Sequence, residues 1–131
     1  MARKYIIWGS SGHAKVLADI IALQGDKIVA LFDNNVNALP ALADVPLFIG
    51  ENGFKEWLSK NKASDFYGLV AIGGANGAAR MEIQKLFYDA GVNVEPIIHP
   101  QASVSKTAKI GAGSQILAQA VVSADAEIGQ D

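Results

Sequence analysis

Residues 9–15, GSSGHAK, bring two glycines, two hydroxyl side chains and a histidine together directly after a short apolar run. Gly9 and Gly12 favour a tight turn from a strand into a helix, because glycine tolerates backbone angles that other residues avoid. The first N–H groups of such a helix have no partner within it and lie at its positive end, so they can bind a phosphate. An ordinary strand-to-helix turn is the alternative, since Ser11 stands where the dinucleotide-binding pattern G-x-G-x-x-G has its second glycine.

The side chains of this loop have chemistry of their own. The hydroxyl of Ser11 can form a hydrogen bond with a phosphate oxygen. His13 opens the helix beside the loop and either contacts a ligand or packs as part of the helix cap. The candidate substrate-binding residues of this loop are therefore Gly9, Ser10, Ser11, Gly12 and His13.

Asp33 ends the next apolar run, in the sequence LFDNN, 21 residues after Gly12. In doubly wound folds a carboxylate at about this place accepts hydrogen bonds from the hydroxyl groups of a ribose. Aspartate at the end of a strand is also a common turn residue, so the ribose role and the turn role both stay open at this point.

A second glycine-rich stretch, IGGANGAAR at residues 72–80, follows a later apolar run. Gly73 and Gly74 open this loop, and Asn76 is placed to cap the helix that follows. Arg80 lies in the first turns of that helix and either meets a phosphate or lies on a solvated face. All three stretches follow predicted strands, so a parallel sheet would bring them to one edge, where ligands bind in such folds.

The elements that would position these residues alternate between strands and helices. Four apolar runs are typical of buried strands: KYIIWG, KIVALFD, DFYGLVAIGG and VNVEPII. Three amphipathic segments are typical of helices: HAKVLADIIALQG, ENGFKEWLSKN and NGAARMEIQKLFYDAG. The apolar face of the first helix is predicted to comprise Val16, Leu17, Ile20, Ile21 and Leu23, with Gly25 ending the helix. This alternation predicts an α/β fold with a Rossmann-like parallel sheet and helices on both faces.

From about residue 102 a different pattern begins, with an aliphatic residue at every sixth position. The series is Val104, Ile110, Ile116, Val122 and Ile128, and a small residue stands two positions before each member. Residues i and i−2 of a strand face the same side, so each six-residue unit offers one small and one large inward side chain. This period predicts a parallel β-helix built from hexapeptides, and the alternative is an alanine-rich loop with chance spacing.

Composition narrows the class of function. A net charge of −2 and a pI near 5.6 disfavour nucleic-acid binding, which requires a basic surface. The chain has no cysteine, which excludes disulfides and thiolate metal sites, and no metal-ligand spacing or catalytic triad emerges. No run is apolar and long enough to span a bilayer. We therefore expect a cytoplasmic protein without membrane contact, and we predict neither a metal-binding nor a catalytic residue in this chain.

The order of the motifs GSSGHAK, LFDNN, AIGGANGAAR and IIHPQASVSKTAKIGAGSQI resembles a known family over essentially the whole chain. The sequence looks like the bacterial sugar acyltransferases of the left-handed β-helix type. These include UDP-4-amino-sugar N-acetyltransferases and the similar sialic acid O-acetyltransferases, which serve bacterial glycan or polysaccharide biosynthesis.

The resemblance implies two parts with different tasks. Residues 1–98 would form a Rossmann-like domain that binds a UDP-sugar, and residues 99–131 would form the first, incomplete coils of a left-handed parallel β-helix. Intact family members form homotrimers that hold acetyl-CoA between neighbouring subunits. By motif, the family's nucleotide-binding loop falls on Gly9–His13 and its acid on Asp33. The second loop falls on Gly73, Gly74, Asn76 and Arg80.

The resemblance also implies which part of the family's machinery lies elsewhere. The histidine general base comes about one coil further along in that family, and the coenzyme-binding coils follow it, so we expect residues 1–131 to contain neither. His99 belongs to the IHP motif that opens the β-helix, and a structural role is expected for it. A UDP-sugar-binding module without catalysis and a sugar O-acetyltransferase fragment are the alternatives. A nicotinamide- or CoA-binding domain is disfavoured by the hexapeptide pattern.

Overall fold

The computed structural model describes residues 2–72 and 77–99, followed by the stretches 102–106, 108–111, 115–116, 121–122 and 127–128. Within these ranges the main sheet contains the strands β1 (Lys4–Trp8), β2 (Lys27–Asp33), β3 (Leu47–Ile49) and β4 (Phe66–Val70). The helices of these ranges are α1 (Gly12–Leu23), α2 (Gly50–Leu58) and α3 (Gly77–Ala90), and a 3₁₀ turn (Ala63–Asp65) precedes β4. None of the helices so described has both the length and the apolar character needed to cross a membrane.

The strands of the main sheet lie in the order β3-β2-β1-β4, and every neighbouring pair is parallel. The chain moves outward from β1 through β2 to β3 and then returns to place β4 on the other side of β1. This reversal is typical of a Rossmann-like sheet, so the predicted α/β class is confirmed. The strand β3 was not predicted, because its three half-buried residues are too few to show a pattern.

Helices cover both faces of the sheet, as predicted. Successive residues of β1 point to opposite faces, so Ile6 and Trp8 enter one core and Tyr5 and Ile7 enter another. The first core lies against α2 and α3, and the second lies against α1.

The first core is built largely from aromatic rings around Trp8. The centroid of the Trp8 ring lies 5.4 Å from that of Phe32, 5.6 Å from that of Phe54 and 6.0 Å from that of Phe87. Aromatic pairs at such separations contribute about 0.5–1.5 kcal/mol each beyond their buried area. Tight packing of the last residue of β1 fixes the point from which the glycine loop leaves the sheet.

Helix α1 buries a narrower face than the sequence predicts. Its buried residues are Ala14, Leu17, Ile20 and Ile21. Val16 is 45% exposed and Leu23 is 62% exposed, although both follow the helical spacing of the predicted apolar face. Val16 lies at the rim of the buried face, because each helical residue turns by about 100°. Leu23 ends the helix, and the chain then turns away through Gly25, whose φ is +81°.

The segment VNVEPII does not form the predicted last strand of the sheet. Asn93 makes a single parallel bridge to Tyr67 of β4, and Pro96 has no N–H to extend such a ladder. Ile97 and Ile98 form a separate short strand, β5, which pairs with residues 115 and 116 instead. The prediction that VNVEPII forms a single final strand is therefore wrong.

Two-residue strands recur at every sixth residue from β5 onward. They are β6 (Ser103–Val104), β7 (Lys109–Ile110), β8 (Gln115–Ile116), β9 (Val121–Val122) and β10 (Glu127–Ile128). The pairs β5–β8, β6–β9 and β7–β10 are parallel and join residues 18 positions apart, as in 97 with 115. Each strand from β6 onward ends on a member of the predicted aliphatic series, and Ile98 extends that series by one unit towards the N-terminus.

Candidate functional site

The carboxyl ends of β1, β2 and β4, which the predicted loops follow, lie along one edge of the sheet. Trp8, the last residue of β1, is in register with Phe32 of β2 and with Val70 of β4. The strand order reverses between β1 and β4, and in open α/β sheets ligands bind at such a reversal, beyond the carboxyl ends of the strands. The fold thus brings the first loop and Asp33 to the edge where a ligand is expected.

Gly9 begins the first loop under tight steric constraints. Its φ is +120°, a backbone conformation that side chains other than glycine's rarely adopt. A Cβ at this position would collide with the carbonyl group of Ala71, whose carbon would lie 2.8 Å away. The Gly9 N–H donates to the carbonyl oxygen of Phe32 at 2.6 Å, which holds the start of this loop against β2. The close approach to Ala71 leaves no room for a side chain between Gly9 and the residue that follows β4.

Asp33 joins the glycine loop to the segment that follows β2. Its Oδ2 accepts a hydrogen bond from the backbone N–H of Ser10 at 2.9 Å, and its Oδ1 accepts one from the N–H of Asn35 at 2.9 Å. The second bond closes an Asx turn, so Asp33 has the turn role that the sequence left open. The structure thus brings Ser10 and Asp33 together, and it adds Asn35, which the sequence reasoning missed although it lies in LFDNN.

The N-terminus of α1 lies beside this carboxylate. Ser11 occupies the cap position in an extended conformation without a side-chain capping bond, and its carbonyl oxygen accepts from the Ala14 N–H at 3.0 Å. Ser11 and Gly12 are exposed, and His13 is half-buried. No acidic residue stands in the first turn of the helix. An anion could therefore approach these first N–H groups without meeting a negative side chain of that turn.

The second predicted loop lies only partly within the described residues. Gly73, Gly74 and Asn76 lie outside the described residues. Arg80, in the first turn of α3, is half-buried, and its Nη1 lies 3.4 Å from the carbonyl oxygen of Ile72. The guanidinium group therefore reaches back towards the carboxyl end of β4, which places a positive charge near the same sheet edge.

His99 lies apart from these three loops along the chain. It follows β5 directly, and its carbonyl oxygen accepts a hydrogen bond from the N–H of Ala102 at 2.9 Å, which closes a turn. Among the residues that the structure describes, no group of three His, Cys, Asp or Glu side chains could hold a metal ion.

A groove of about 740 Å³ lies away from the predicted site, between α3 and the segment that follows it. Met81, Tyr88 and Val94 contribute to its lining, and none of the predicted site residues does. The volume of this groove therefore gives no support to the predicted site. The sheet edge is identified instead by the hydrogen-bonding groups that come together there.

A model of the PglD N-terminal domain family matches residues 4–87 of the chain. This range contains the main sheet, α1, α2, most of α3 and all ten predicted substrate-binding residues. A sequence search of curated proteins gave no match.

Solved structures of acetyltransferases resemble the chain over nearly its whole length. A variant of perosamine N-acetyltransferase from Caulobacter crescentus, solved with CoA and GDP-perosamine, has a TM-score of 0.82 and 26% identity. The match covers 97% of this chain and 57% of that chain. The acetyltransferase domain of PglB from Neisseria gonorrhoeae, solved with acetyl coenzyme A, has a TM-score of 0.78 and 28% identity, covering 99% of this chain and 60% of that chain. The chain thus spans less than two thirds of either relative, and the predicted resemblance to sugar acyltransferases is confirmed.

Proposed function

The chain belongs to the PglD N-terminal domain family, and we propose that it is the nucleotide-sugar-binding portion of an acetyl-CoA-dependent sugar N-acetyltransferase. The similar structures are a perosamine N-acetyltransferase, solved with CoA and GDP-perosamine, and the acetyltransferase domain of PglB, solved with acetyl coenzyme A. The observation that carries the proposal is the arrangement at the sheet edge, where Asp33 is bonded to the glycine loop beside the N-terminus of α1.

The diphosphate of the ligand would lie against the N-terminus of α1. The partial positive charge at the N-terminus of the helix favours phosphate oxygens there. Arg80 supplies a full positive charge at the neighbouring strand end, and its half-buried position limits screening by solvent. Gly73, Gly74 and Asn76 would complete this side of the site.

Asp33 would bind the ribose of the nucleotide. Each carboxylate oxygen has two lone pairs, and one on each oxygen already accepts a backbone N–H. One acceptor position is left on each oxygen, and two is the number of hydroxyl groups that a ribose offers. The same residue thus supports the loop and retains the capacity to accept hydrogen bonds from the sugar.

We propose a uridine nucleotide as the ligand, because the sequence motifs resemble those of UDP-4-amino-sugar N-acetyltransferases. The perosamine N-acetyltransferase was solved with GDP-perosamine, so a guanosine nucleotide is the alternative ligand. Comparison of UDP with GDP is therefore part of the test.

We further propose that residues 99–131 begin a left-handed parallel β-helix, with residues 1–98 as the binding domain. Support comes from the pairing of two-residue strands 18 positions apart, the repeat expected of a three-sided coil made of hexapeptides. The complete protein would form a homotrimer and hold acetyl-CoA between subunits. The sugar amine would attack the thioester carbonyl, a histidine base would take the amine proton, and the CoA thiolate would leave.

Calorimetric titration of the 131-residue chain with UDP, a UDP-amino-sugar, GDP and NAD tests this function. We expect the uridine nucleotides to bind most tightly and Asp33→Ala to weaken their binding by at least tenfold, since it removes a charged acceptor. Asp19→Ala is the matched control, because Asp19 is an exposed aspartate in α1. Tighter binding of NAD than of either nucleoside diphosphate would overturn the proposal. Tighter binding of GDP than of UDP would show that the base of the ligand is guanine, and the other parts of the proposal would stand.

A further inference from the structure

Ser10, in the glycine loop, makes hydrogen bonds to Asp33, Leu39 and Ala41. Its hydroxyl donates to the carbonyl oxygen of Leu39 at 2.6 Å and accepts from the N–H of Ala41 at 2.8 Å. Its own N–H donates to Asp33. One residue therefore ties the loop after β1 to two separate points of the segment after β2.

These bonds determine what the Ser10 hydroxyl can do for a ligand. A hydroxyl has a single proton, and the carbonyl oxygen of Leu39 receives it in this arrangement. The hydroxyl thus has no proton left to donate to a phosphate oxygen, and a role in direct phosphate binding does not fit Ser10. Both hydrogen bonds of the hydroxyl are made with the segment of residues 34–41.

That segment has no helix or strand, yet side-chain hydrogen bonds hold its backbone. The Asn35 side chain accepts from the N–H of Asn37 at 2.9 Å, and the carbonyl oxygen of Asn35 accepts from the N–H of Ala38 at 3.0 Å. The Ser10 hydroxyl then fixes the far end at Leu39 and Ala41. The segment is thus ordered before any ligand arrives.

The ordered segment exposes apolar side chains next to the predicted ribose site. Val36 is 76% exposed and Leu39 is 79% exposed. Small-molecule sites combine apolar surface with a few well-placed polar groups, and a nucleobase offers an apolar face for such a surface. Leu39 is the apolar residue whose own carbonyl oxygen is bonded to the glycine loop.

We propose that Ser10 is a positioning residue that holds residues 34–41 as a preformed surface for the nucleoside of the ligand, with Leu39 as its apolar contact. This role rests on the proposed function and names the part of the site that meets the base. A preformed surface strengthens binding because the ligand does not have to order the segment itself. Loss of the hydroxyl should therefore weaken binding of the nucleoside part and spare binding of the phosphates.

Titration of the 131-residue chain with UDP and with inorganic pyrophosphate separates these two contributions. We expect Ser10→Ala to weaken UDP binding by about tenfold, the effect of roughly two lost hydrogen bonds, and to change pyrophosphate binding by less than about twofold. Leu39→Ala should likewise weaken UDP binding and leave pyrophosphate binding unchanged. Ser10→Thr keeps the hydroxyl and should restore most of the UDP affinity. Hydrogen exchange at the Ala41 amide should accelerate in Ser10→Ala.

Matched controls come from elements outside the site. Ser59→Ala removes a hydroxyl that donates to a backbone carbonyl at the end of α2, and Leu23→Ala truncates an equally apolar exposed side chain at the end of α1. Both should bind UDP like the unmodified chain. Equal UDP affinity of Ser10→Ala and the unmodified chain, or parallel losses for UDP and pyrophosphate, would overturn the role of Ser10 alone. Failure of the unmodified chain to bind UDP or GDP would overturn the proposed function and this role with it.

Discussion

Replacement of Asp33 by asparagine tests the junction at the sheet edge with little change in side-chain shape. In the folded chain both carboxylate oxygens accept backbone N–H groups, those of Ser10 and Asn35. An asparagine side chain has only one oxygen, so its NH₂ group would face one of these two donors. Asp33→Asn therefore converts two charge-assisted hydrogen bonds into one neutral bond and one donor–donor contact.

The expected loss of stability follows from the exposure of the two bonds. Hydrogen bonds to charged groups contribute about 1.5–3 kcal/mol, and exposed ones contribute less. The bond to Ser10 is partly buried and the bond to Asn35 is exposed, so we expect a total loss of about 2 kcal/mol. For a chain of 131 residues this corresponds to a fall in Tm of about 7 °C, because the unfolding entropy scales with length.

Thermal unfolding followed by circular dichroism measures this loss, and Asp19→Asn is the control for the change of charge. Asp19 is exposed in α1, and its replacement should shift Tm by less than about 2 °C, as is usual for surface substitutions. Equal Tm values for Asp33→Asn and Asp19→Asn would show that the two hydrogen bonds do not support the junction. That result would refute the reasoning on which the position of the glycine loop rests.

Two further substitutions test the packing of the sheet. Gly9→Ala should cost about 2–4 kcal/mol in urea unfolding, from a strained φ and a collision with Ala71, whereas Gly12→Ala should cost nothing, because its Cβ would meet no atom within 4 Å. Equal stability of these two variants would contradict the close contact of the two loops. Burial raises the pKa of Tyr5 above its ordinary value of 10.0, so its neutral form stabilises the fold, and this contribution is lost as the pH rises through the raised pKa. We therefore expect the unfolding free energy to fall less steeply above pH 10 in Tyr5→Phe than in the unmodified chain; identical slopes would contradict this.

The main elements of the fold could be predicted because each apolar run is bounded by glycine or polar residues. Periodicity identified the helices, but it overestimated the buried face of α1, where Val16 and Leu23 are exposed. The strand β3 escaped prediction because three residues cannot show an alternation. The position of β3 beside β2 depends on pairing between separate segments of the chain, and the pattern of residues within β3 does not predict that pairing.

The candidate site could be predicted to the level of loops but not of atoms. The rule for parallel sheets places Asp33 and the glycine loop at one edge, and the structure brings Ser10 and Asp33 into hydrogen-bond contact there. The partners of the Ser10 hydroxyl could not be predicted, because backbone groups of Leu39 and Ala41 carry no signature in the sequence. The contact of Gly9 with Ala71 likewise depends on how closely two loops approach.

The central claim is that the sheet edge, and not the groove beside α3, binds a nucleotide-sugar. Titration of the ¹⁵N-labelled chain with UDP and GDP, followed by amide chemical shifts, tests it most directly. We expect the largest shifts at Ser11, Gly12 and Asn35, with little change at Tyr88 and Val94. Shifts concentrated at Tyr88 and Val94, or no shifts with either nucleotide, would contradict the claim.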